Sequence, residues 1–506
     1  MAGVVYLIGA GPGDYKLITV KGKECIEKAD VIIYDYLADT HLLRWARPDA
    51  ELIYAGKQCK NHTLHQYEIN EILVDRGLKG KTVARLKGGD PLVFGRGGEE
   101  AMALAEAGVP FEFVPGVTSG ISAPAYAGIP VTQRAMATSF AIVTGHEDPT
   151  KSVSGIHWEG LATAVDTLCF VMGIGNLPLI SSKLIEHGRP ANTPVAVIRW
   201  GTKPIQETLV STLENVAYDV AKAGLKPPAV VVVGDVVNLR DKLRWFDTKP
   251  LFGKRIVVTR ARSQASALVS RLEELGADVV EAAAIRTEAL PIDVATAELV
   301  AKAGSYKVIT FTSAQGVHYF FQALEAQQLD SRSLGQAKIC AIGSATAKAL
   351  KAKGLLADIV PTNYQAESVV EALSPVMTVG DKMLLIQPKV ARHVIEKGLT
   401  AQGITVDVAR LYETVQDTSR RELLRDHLTA GDVDYITFTS SSTVTNTLSL
   451  LGENAKELMT NVRVVCIGPI TAATCVENGL TPDVIGETFT IPAMVDMIVA
   501  DATAGV

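Results

Sequence analysis

The sequence predicts an α/β protein with substantially parallel sheets, whose second half is a duplicated pair of lobes. Three observations predict it. Short β-branched runs, "VVYLIG", "VIIYD", "TVARLKGG", "SFAIVTG", "TLCFVMG", "PVAVIRWG" and "AVVVVGDVV", alternate with helix-compatible stretches of about ten to twenty residues. Glycine-rich turns close several of these runs, as expected where a strand hands over to a helix. The third is a long internal repeat: "ITFTS" at 309 recurs at 436, an offset of 436 − 309 = 127.

The opening stretch reads strand, turn, helix, strand. Ile18, Gly22, Cys25, Ile26 and Ala29 fall on one helical face between the first two runs. The first turn, "GAGPGD", invites a test against the dinucleotide fingerprint G-x-G-x-x-G. Gly9 and Gly11 fit, but Asp14 stands where the third glycine belongs, and Pro12 removes a backbone N–H. A carboxylate at that point opposes a pyrophosphate. Asp35, at the end of "VIIYD", stands where a dehydrogenase's ribose-binding acid would, so an NAD-dependent dehydrogenase remains a rival reading.

Two further turns follow in the same style. "RLKGGDPLVFGRGGEE" places Gly88, Gly89 and Asp90 directly after a strand, and "FVPGVTSG" places the small residues Thr118 and Ser119 after the next. One such turn is ordinary in an α/β domain. Three in one domain suit a compact ligand approached closely by backbone. Composition then shifts at "WFDTKPLFGKR", which marks a domain boundary near residue 250.

Beyond it, "GKRIVVTRARS" from Gly253 aligns with "GDKMLLIQPKV" from Gly380, and "IGSATA" resembles "IGPITA" at 468 − 343 = 125. Solenoid units run to only about 50 residues, so this period means a duplicated domain, and paired lobes make a cleft.

Bulk properties set limits. With 506 residues, 47% of them hydrophobic, the chain is long enough for several buried cores. Its net charge of −6 opposes a general nucleic-acid binder. Cys25, Cys59, Cys169, Cys340, Cys466 and Cys475 form no CxxC and read as core fillers in a reducing compartment. His62 and His65 have no second ligand pair at metal spacing, so no metal is expected. No apolar run approaches the ~20 residues needed to span a bilayer and no signal-like start is visible, so a cytoplasmic location with no membrane partner is expected.

"GAGPGD", "VIIYDYL", "YAGK", "RLKGGDPLVFGRGGEE", "VPGVTS", "GIPVT", "VTGH", "VMG" and "PPAVVVVGDVVNLRDKLRWF" together resemble the uroporphyrinogen-III C-methyltransferases, in order, over residues 3 to about 246. The resemblance implies the tetrapyrrole (class III) methyltransferase fold of two α/β subdomains, an S-adenosylmethionine site that yields S-adenosylhomocysteine, and a homodimer through this half. It carries cofactor-binding positions to Pro12, Gly88, Gly89, Asp90, Val93, Thr118, Ser119, Met172 and Gly201, a proton acceptor to Asp35 and a proton donor to Lys57. The chemistry is consistent: methyl transfer to a pyrrole carbon needs in-line placement and a group that takes the displaced proton. Lys57 either donates a proton or pairs with one of the substrate's carboxylates. Arg44, Arg47, Lys60, Arg85, Lys87, Arg96 and Arg134 are further candidates for anion pairing.

The repeat resembles uroporphyrinogen-III synthase, carried by "GKRIVVTRA", both copies of "ITFTS", "RLYETV", "IGPITA" and "IGSATA". This implies a two-lobed α/β synthase with flavodoxin-like parallel sheets and an interleaved chain. The expected division is 1–246 methyltransferase, 247–252 linker and 253–506 synthase, with one lobe from 253–285 plus 415–506 and the other from 287–411. The family's tyrosine falls on Tyr412 in "LYET", either protonating the leaving hydroxyl of hydroxymethylbilane or packing as a hinge-strand aromatic. Thr312, Ser313, Thr439, Ser440, Ser441 and Thr471 either bind carboxylates or cap helices, and Arg260, Arg262 and Lys389 are basic candidates.

The reading is a bifunctional enzyme. It cyclises hydroxymethylbilane to uroporphyrinogen III, then methylates that product at carbons 2 and 7 to precorrin-2. The other rival takes the duplicated half as a non-catalytic tetrapyrrole-binding or regulatory module.

Overall fold

The computed structural model describes residues 3–56, 64–146, 155–260, 262–363 and 365–504, without the side chains of 262–266. Lys57, Cys59, Lys60 and His62 thus lie outside the described residues, as does the side chain of Arg262. The chain forms two compact units: 1–255 with 271–278 and 502–506, and 256–270 with 279–501.

The first unit contains two sheets. In the first, β1 (Val5–Gly9), β2 (Val31–Tyr34), β3 (Glu51–Tyr54), β4 (Val83–Lys87) and β5 (Phe111–Val114) lie in the order β3-β2-β4-β1-β5. Every pairing is parallel. Tyr6 and Ile8 of β1 enter one core with Cys25 and Ile26 of helix α1 (Val20–Lys28). Val5 and Leu7 enter the opposite core, with Ile69 and Leu73 of α2 (Gln66–Leu78) and Ala101 and Leu104 of α3 (Gly97–Glu106). A strand covered on both faces has no polar side to show, which is why these runs read as continuous apolar sequence.

The second sheet departs from this pattern. Strands β6 (Phe140–Thr144), β7 (Thr167–Val171), β8 (Pro194–Arg199), β9 (Glu207–Thr212) and β10 (Ala229–Val233) are ordered β6-β7-β10-β8-β9. Only β6 and β7 run parallel; the other three pairings are antiparallel. Residues 200–206 are too short for a crossover, so β8 and β9 must form a hairpin. Strand β9 lies on a sheet edge with no fully buried position, Glu207 and Val210 being exposed and the rest half-buried, a weak apolar signal that pattern reading passes over.

The repeated half builds two more sheets. Strands β11 (Arg255–Val258) and β12 (Asp278–Glu281) are followed by β13 (Ile285–Ala289), β14 (Val308–Phe311), β15 (Lys338–Ala341), β16 (Lys382–Pro388) and β17 (Thr405–Gln416), then β18 (Tyr435–Phe438), β19 (Arg463–Cys466) and β20 (Val484–Ile485). The sheet orders are β12-β11-β18-β19-β20 and β13-β17-β16-β14-β15. Strand β18 lies parallel beside β11, so the chain leaves the first sheet after β12, builds the whole second sheet, and returns. Taken in chain order within its lobe, the first sheet reads 2-1-3-4-5, the flavodoxin-like order. Strands β15-β14-β16-β17 repeat its 2-1-3-4 portion, and β13 closes that edge antiparallel to β17.

The duplication extends to backbone detail. Ser313 and Ser440, 440 − 313 = 127 apart, are both N-caps with φ near −165° and ψ of 161°. Gly343 and Gly468, 468 − 343 = 125 apart, are both extended N-caps of the following helices.

Candidate active sites

The three glycine turns of the first unit lie at the carboxyl ends of β4, β1 and β5, three neighbours in one parallel sheet. They interlock through backbone. Gly89 N donates to Gly11 O at 2.7 Å and Gly11 N to Gly89 O at 3.2 Å, while Ala10 N donates to Lys87 O at 2.8 Å. A Cβ on Gly9 would stand 2.4 Å from Gly116 Cα and 2.7 Å from Gly89 O; one on Gly116 would stand 2.4 Å from Gly89 O. Glycine is required at these points because two other main chains occupy the side-chain space. Asp90 ties the set, accepting from Leu92 N at 2.8 Å and from Gly116 N at 3.0 Å.

The second sheet contributes the turn after β8. Thr202 Oγ1 accepts from Asp14 N at 3.0 Å, and Tyr126 OH donates to Asp14 Oδ2 at 2.8 Å. Non-glycine residues Met172, Trp200 and Thr202 hold φ of 57°, 48° and 75° on the turns after β7 and β8. Such left-handed backbone costs energy and persists only where the surrounding structure holds it. Gly201 packs so closely on helix α4 (Ser119–Tyr126) that a Cβ there would meet Ala123 Cβ at 2.4 Å. Thr118 caps α4, accepting from Gly120 N at 3.4 Å.

These turns do not suit a pyrophosphate. Residues 9–14, 88–95 and 114–119 contain Asp14 and Asp90 but no lysine or arginine. Asp14 also accepts from Lys16 N at 2.9 Å, putting its carboxylate at the N–H group a phosphate would need. A compact ligand that carries positive charge and lacks phosphate fits this donor set.

Asp35 follows β2, half-buried. Its Oδ1 accepts from Leu37 N at 3.0 Å and Ala38 N at 3.3 Å, and its Oδ2 lies 3.4 Å from Arg85 Nη2. Arg85 and Lys87 project from one face of β4 and are each 3% exposed, so they do not stand free for substrate anions as expected. Their partner is Glu100 of α3, fully buried, whose Oε1 lies 2.6 Å from Lys87 Nζ and 3.3 Å from Arg85 Nε. Burial pushes the Lys87 ammonium down, with Arg85 acting in the same sense and Glu100 opposing.

In the repeated half, Tyr412 lies on β17, opposite Ala289 of β13 and against a register shift at Gln387/Pro388. Its hydroxyl is 2.7 Å from Ser313 Oγ, and its ring stacks on Tyr319 with centroids 5.2 Å apart and planes at 13°. Ser313 also accepts from Gly316 N at 2.9 Å, which caps the helix Ala314–Ala326. Burial raises the Tyr412 phenol above its ordinary value, with the Ser313 hydrogen bond opposing, so the hydroxyl stays protonated.

Comparison with known proteins decides between the readings. A family model for tetrapyrrole (corrin/porphyrin) methylases matches residues 4–217, and one for uroporphyrinogen-III synthase HemD matches 266–496. A "Porphyrin biosynthesis protein HemD" of Ruminiclostridium josui is 37% identical over 496 residues, 98% of this chain and 97% of that protein. A "Uroporphyrinogen-III C-methyltransferase" of Bacillus subtilis (strain 168) is 44% identical over 368 residues, 73% of this chain and 75% of that protein. The chain belongs to the tetrapyrrole methylases and the uroporphyrinogen-III synthases, fused in one polypeptide. An "S-adenosyl-L-methionine-dependent uroporphyrinogen III methyltransferase" of Methanosarcina barkeri (strain Fusaro / DSM 804) is 49% identical over 241 residues, 48% of this chain and 94% of that protein.

Within the methylase half, Pro12, Gly88, Gly89, Asp90, Thr118, Ser119 and Gly201 all lie on the interlocked turns or the turn linked to them through Asp14 and Thr202. Val93 is half-buried in the β4–α3 loop, and Met172 follows β7 with its side chain half exposed. The remaining anion-pairing candidates are engaged or open to solvent: Arg47 pairs with Asp30 and Asp49, Arg96 with Glu99, Arg44 lies 4.7 Å over the Tyr15 ring, and Arg134 is exposed. Sequence reading missed Glu100. The double glutamate of "GRGGEE" was its only signal, and nothing in one dimension separates it from the exposed Glu99 beside it.

In the synthase half, Ser313 and Ser440 are caps, Thr312 Oγ1 donates to Ile386 O at 2.9 Å, and Ser441 Oγ accepts from Thr474 Oγ1 at 2.7 Å. Thr439 is half-buried and Thr471 buried. Lys389 pairs with Glu413 at 2.8 Å, and Arg260 is desolvated at the end of β11, which lowers its pKa.

Proposed function

We infer that this chain is a bifunctional tetrapyrrole enzyme. Its synthase half closes hydroxymethylbilane to uroporphyrinogen III with loss of water and inversion of the last ring. Its methylase half transfers two methyl groups from S-adenosylmethionine to carbons 2 and 7, giving precorrin-2. One observation carries the reading: the two family matches follow one another, at 4–217 and 266–496, on a chain that a single porphyrin-biosynthesis relative spans almost whole. The methyltransferase is assigned to 1–246, a linker to 247–252 and the synthase to 253–506.

S-adenosylmethionine supplies an electrophilic methyl on a sulfonium and leaves as S-adenosylhomocysteine. The turns, which carry the carboxylates Asp14 and Asp90 and no lysine or arginine, suit that charge, and Pro12, Gly88, Gly89, Asp90, Val93, Thr118, Ser119, Met172 and Gly201 would hold the cofactor. Asp35 takes the proton released from the ring. Two backbone N–H groups fix its Oδ1, so the carboxylate needs no reorganisation when it acts. Lys57, which lies outside the described residues, is assigned as proton donor or partner of a substrate carboxylate.

In ring closure the neutral phenol of Tyr412 protonates the departing hydroxyl. A phenol suits this step because it adds no positive charge near the cation left on the substrate. The N-cap serines and neighbouring threonines supply hydroxyl and N–H donors for the carboxylates of the curled chain.

The proposal extends to a homodimer through the methylase half, tested by sedimentation at micromolar concentration. It also extends to the cytoplasm, consistent with Cys25, Cys169, Cys340, Cys466 and Cys475 being free and buried. Among the described residues no helix is long and apolar enough to cross a membrane. Mass spectrometry of products from hydroxymethylbilane plus S-adenosylmethionine tests both halves together. Precorrin-2 is the expected product. Uroporphyrinogen I alone would make the repeated half a binding module, and unmethylated uroporphyrinogen III would remove the methyltransferase.

A further inference from the structure

The loop that carries Gly88, Gly89, Asp90 and Val93 is bounded by two buried, oppositely charged residues that face each other. Lys87 is the residue before it and ends β4; Glu100 lies four residues past its end, in the first turn of α3. Their 2.6 Å contact closes the loop at its base. Arg85 shares the same Glu100 oxygen and reaches Asp35 with its other end, at 3.4 Å. Gln66 of α2 donates to that oxygen as well, at 3.2 Å.

Charge counting shows what the cluster demands. Arg85 and Lys87 bring two positive charges into the interior, and Glu100 supplies one negative charge. Buried charges must be matched, and the second negative group in contact is Asp35. With both cations charged, the count balances through the Asp35 carboxylate. Tyr54 of β3 also faces Asp35. The Arg96–Glu99 pair is the next charged pair along the loop and α3, close enough for Arg96 to feel Glu100 and Glu99 to feel Lys87.

We propose that Glu100 and Lys87 are positioning residues for methyl transfer: as a buried ionic clasp they hold the base of the cofactor loop and, through Arg85, set the charge and position of the Asp35 carboxylate. This rests on the assignment of Asp35 as the proton acceptor. Glu100 acts through Arg85, which it contacts, and Lys87 acts through Glu100 and through its own charge, which Asp35 feels directly. The loop and the base are thus coupled by charge, although they belong to different strands.

The test is the acid limb of kcat/KM against pH for methyl transfer by the full chain. Removing a buried negative charge strengthens the pull of Arg85 and Lys87 on Asp35, so Glu100→Gln should move the limb to lower pH. Removing a positive charge does the opposite, so Lys87→Met should move it to higher pH. At charge separations of several ångströms each displacement is on the order of 0.5 to 1 pH unit. Gln66→Lys places an ammonium at a partly buried position, against the Glu100 oxygen to which Gln66 donates. It should move the limb downward like Glu100→Gln, and it decides the matter if either buried variant fails to fold. Opposite displacements by opposite charges cannot come from loosened packing, which lowers the plateau and leaves the limb in place. Unmoved limbs in folded variants, or displacement of Glu100→Gln and Lys87→Met in the same direction, overturn the clasp. Failure of the underlying assignment reads differently: Asp35→Asn would then keep the acid limb, whatever the other variants do.

Discussion

Gly116→Ala is the sharpest probe of how the methylase turns are built. The added Cβ would lie 2.4 Å from Gly89 O and 2.6 Å from Gly9 Cα, and no rotamer relieves a clash with backbone. Ordinary carbon–oxygen contacts begin near 3.4 Å, so the β1, β4 and β5 turns must part by about 1 Å. Overpacking of this kind costs roughly 1–3 kcal/mol. The parting also stretches the Gly116 N–Asp90 Oδ2 bond from its 3.0 Å, a charge-assisted bond worth about 1.5–3 kcal/mol before discounting for half-exposure. A total near 3 kcal/mol corresponds to about a hundredfold weaker binding. Isothermal titration with S-adenosylhomocysteine reads the effect, and circular dichroism with thermal melting of the same preparation serves as the folding control. Gly160→Ala is the matched contrast: Gly160 lies exposed in the helix Trp158–Ala164 with nothing within 4 Å of a new Cβ, so alanine should stabilise by about 0.5–1 kcal/mol without changing affinity. Wild-type affinity and melting in Gly116→Ala would refute the interlocked-turn account.

Asp35→Asn should lower methyl transfer by about 10²-fold or more while S-adenosylhomocysteine affinity stays within about threefold; full turnover removes Asp35 as the base. Tyr412→Phe should slow ring closure by about 10²-fold, and an unchanged rate and isomer ratio would take the phenol out of the mechanism. The pH dependence follows from the direction of the Tyr412 shift. Its folded pKa is raised, so its donor proton and its contribution to stability are fully present below the unfolded tyrosine value near 10 and are lost only as pH rises through the higher folded value. Synthase rate should therefore hold through pH 9, and a decline already at pH 8 would contradict the buried donor. Ser313→Ala and Ser440→Ala should each cost about 1 kcal/mol in thermal unfolding through loss of a cap, but Ser313→Ala, which also releases the Tyr412 hydroxyl, should slow ring closure the more strongly of the two.

Much of the site was legible in sequence because its parts are local. "GAGPGD", "KGGD" and "VPGVTS" each announce a turn at a strand end, and the residues that spoil a pyrophosphate fingerprint, Pro12 and Asp14, are visible within six positions. The repeat was legible for the same reason, since N-caps at Ser313 and Ser440 are properties of short segments. The antiparallel character of the second sheet was not legible. Strand β10 pairs with both β7 and β8, and no run of sequence states which neighbours it will have.

Charge followed the same division. Arg85 and Lys87 looked like solvent-facing anion binders because a basic residue in isolation is normally exposed. Glu100, thirteen and fifteen positions further on (100 − 87 = 13; 100 − 85 = 15), reverses that, and only the packing of α3 against β4 brings it there. The adjacent Gly97 and Gly98 make the point most simply. A Cβ on Gly97 would meet Pro91 O at 2.4 Å, whereas one on Gly98 would meet nothing within 4 Å. The sequence alone determined the two families, the duplicated half and the chemical character of the cofactor turns, because strand runs, caps and turn residues act over a few bonds. Tertiary structure alone decided which glycines are obligatory, which cations are buried and which carboxylate balances them, because those depend on atoms that are far apart in the chain and a few ångströms apart in the fold.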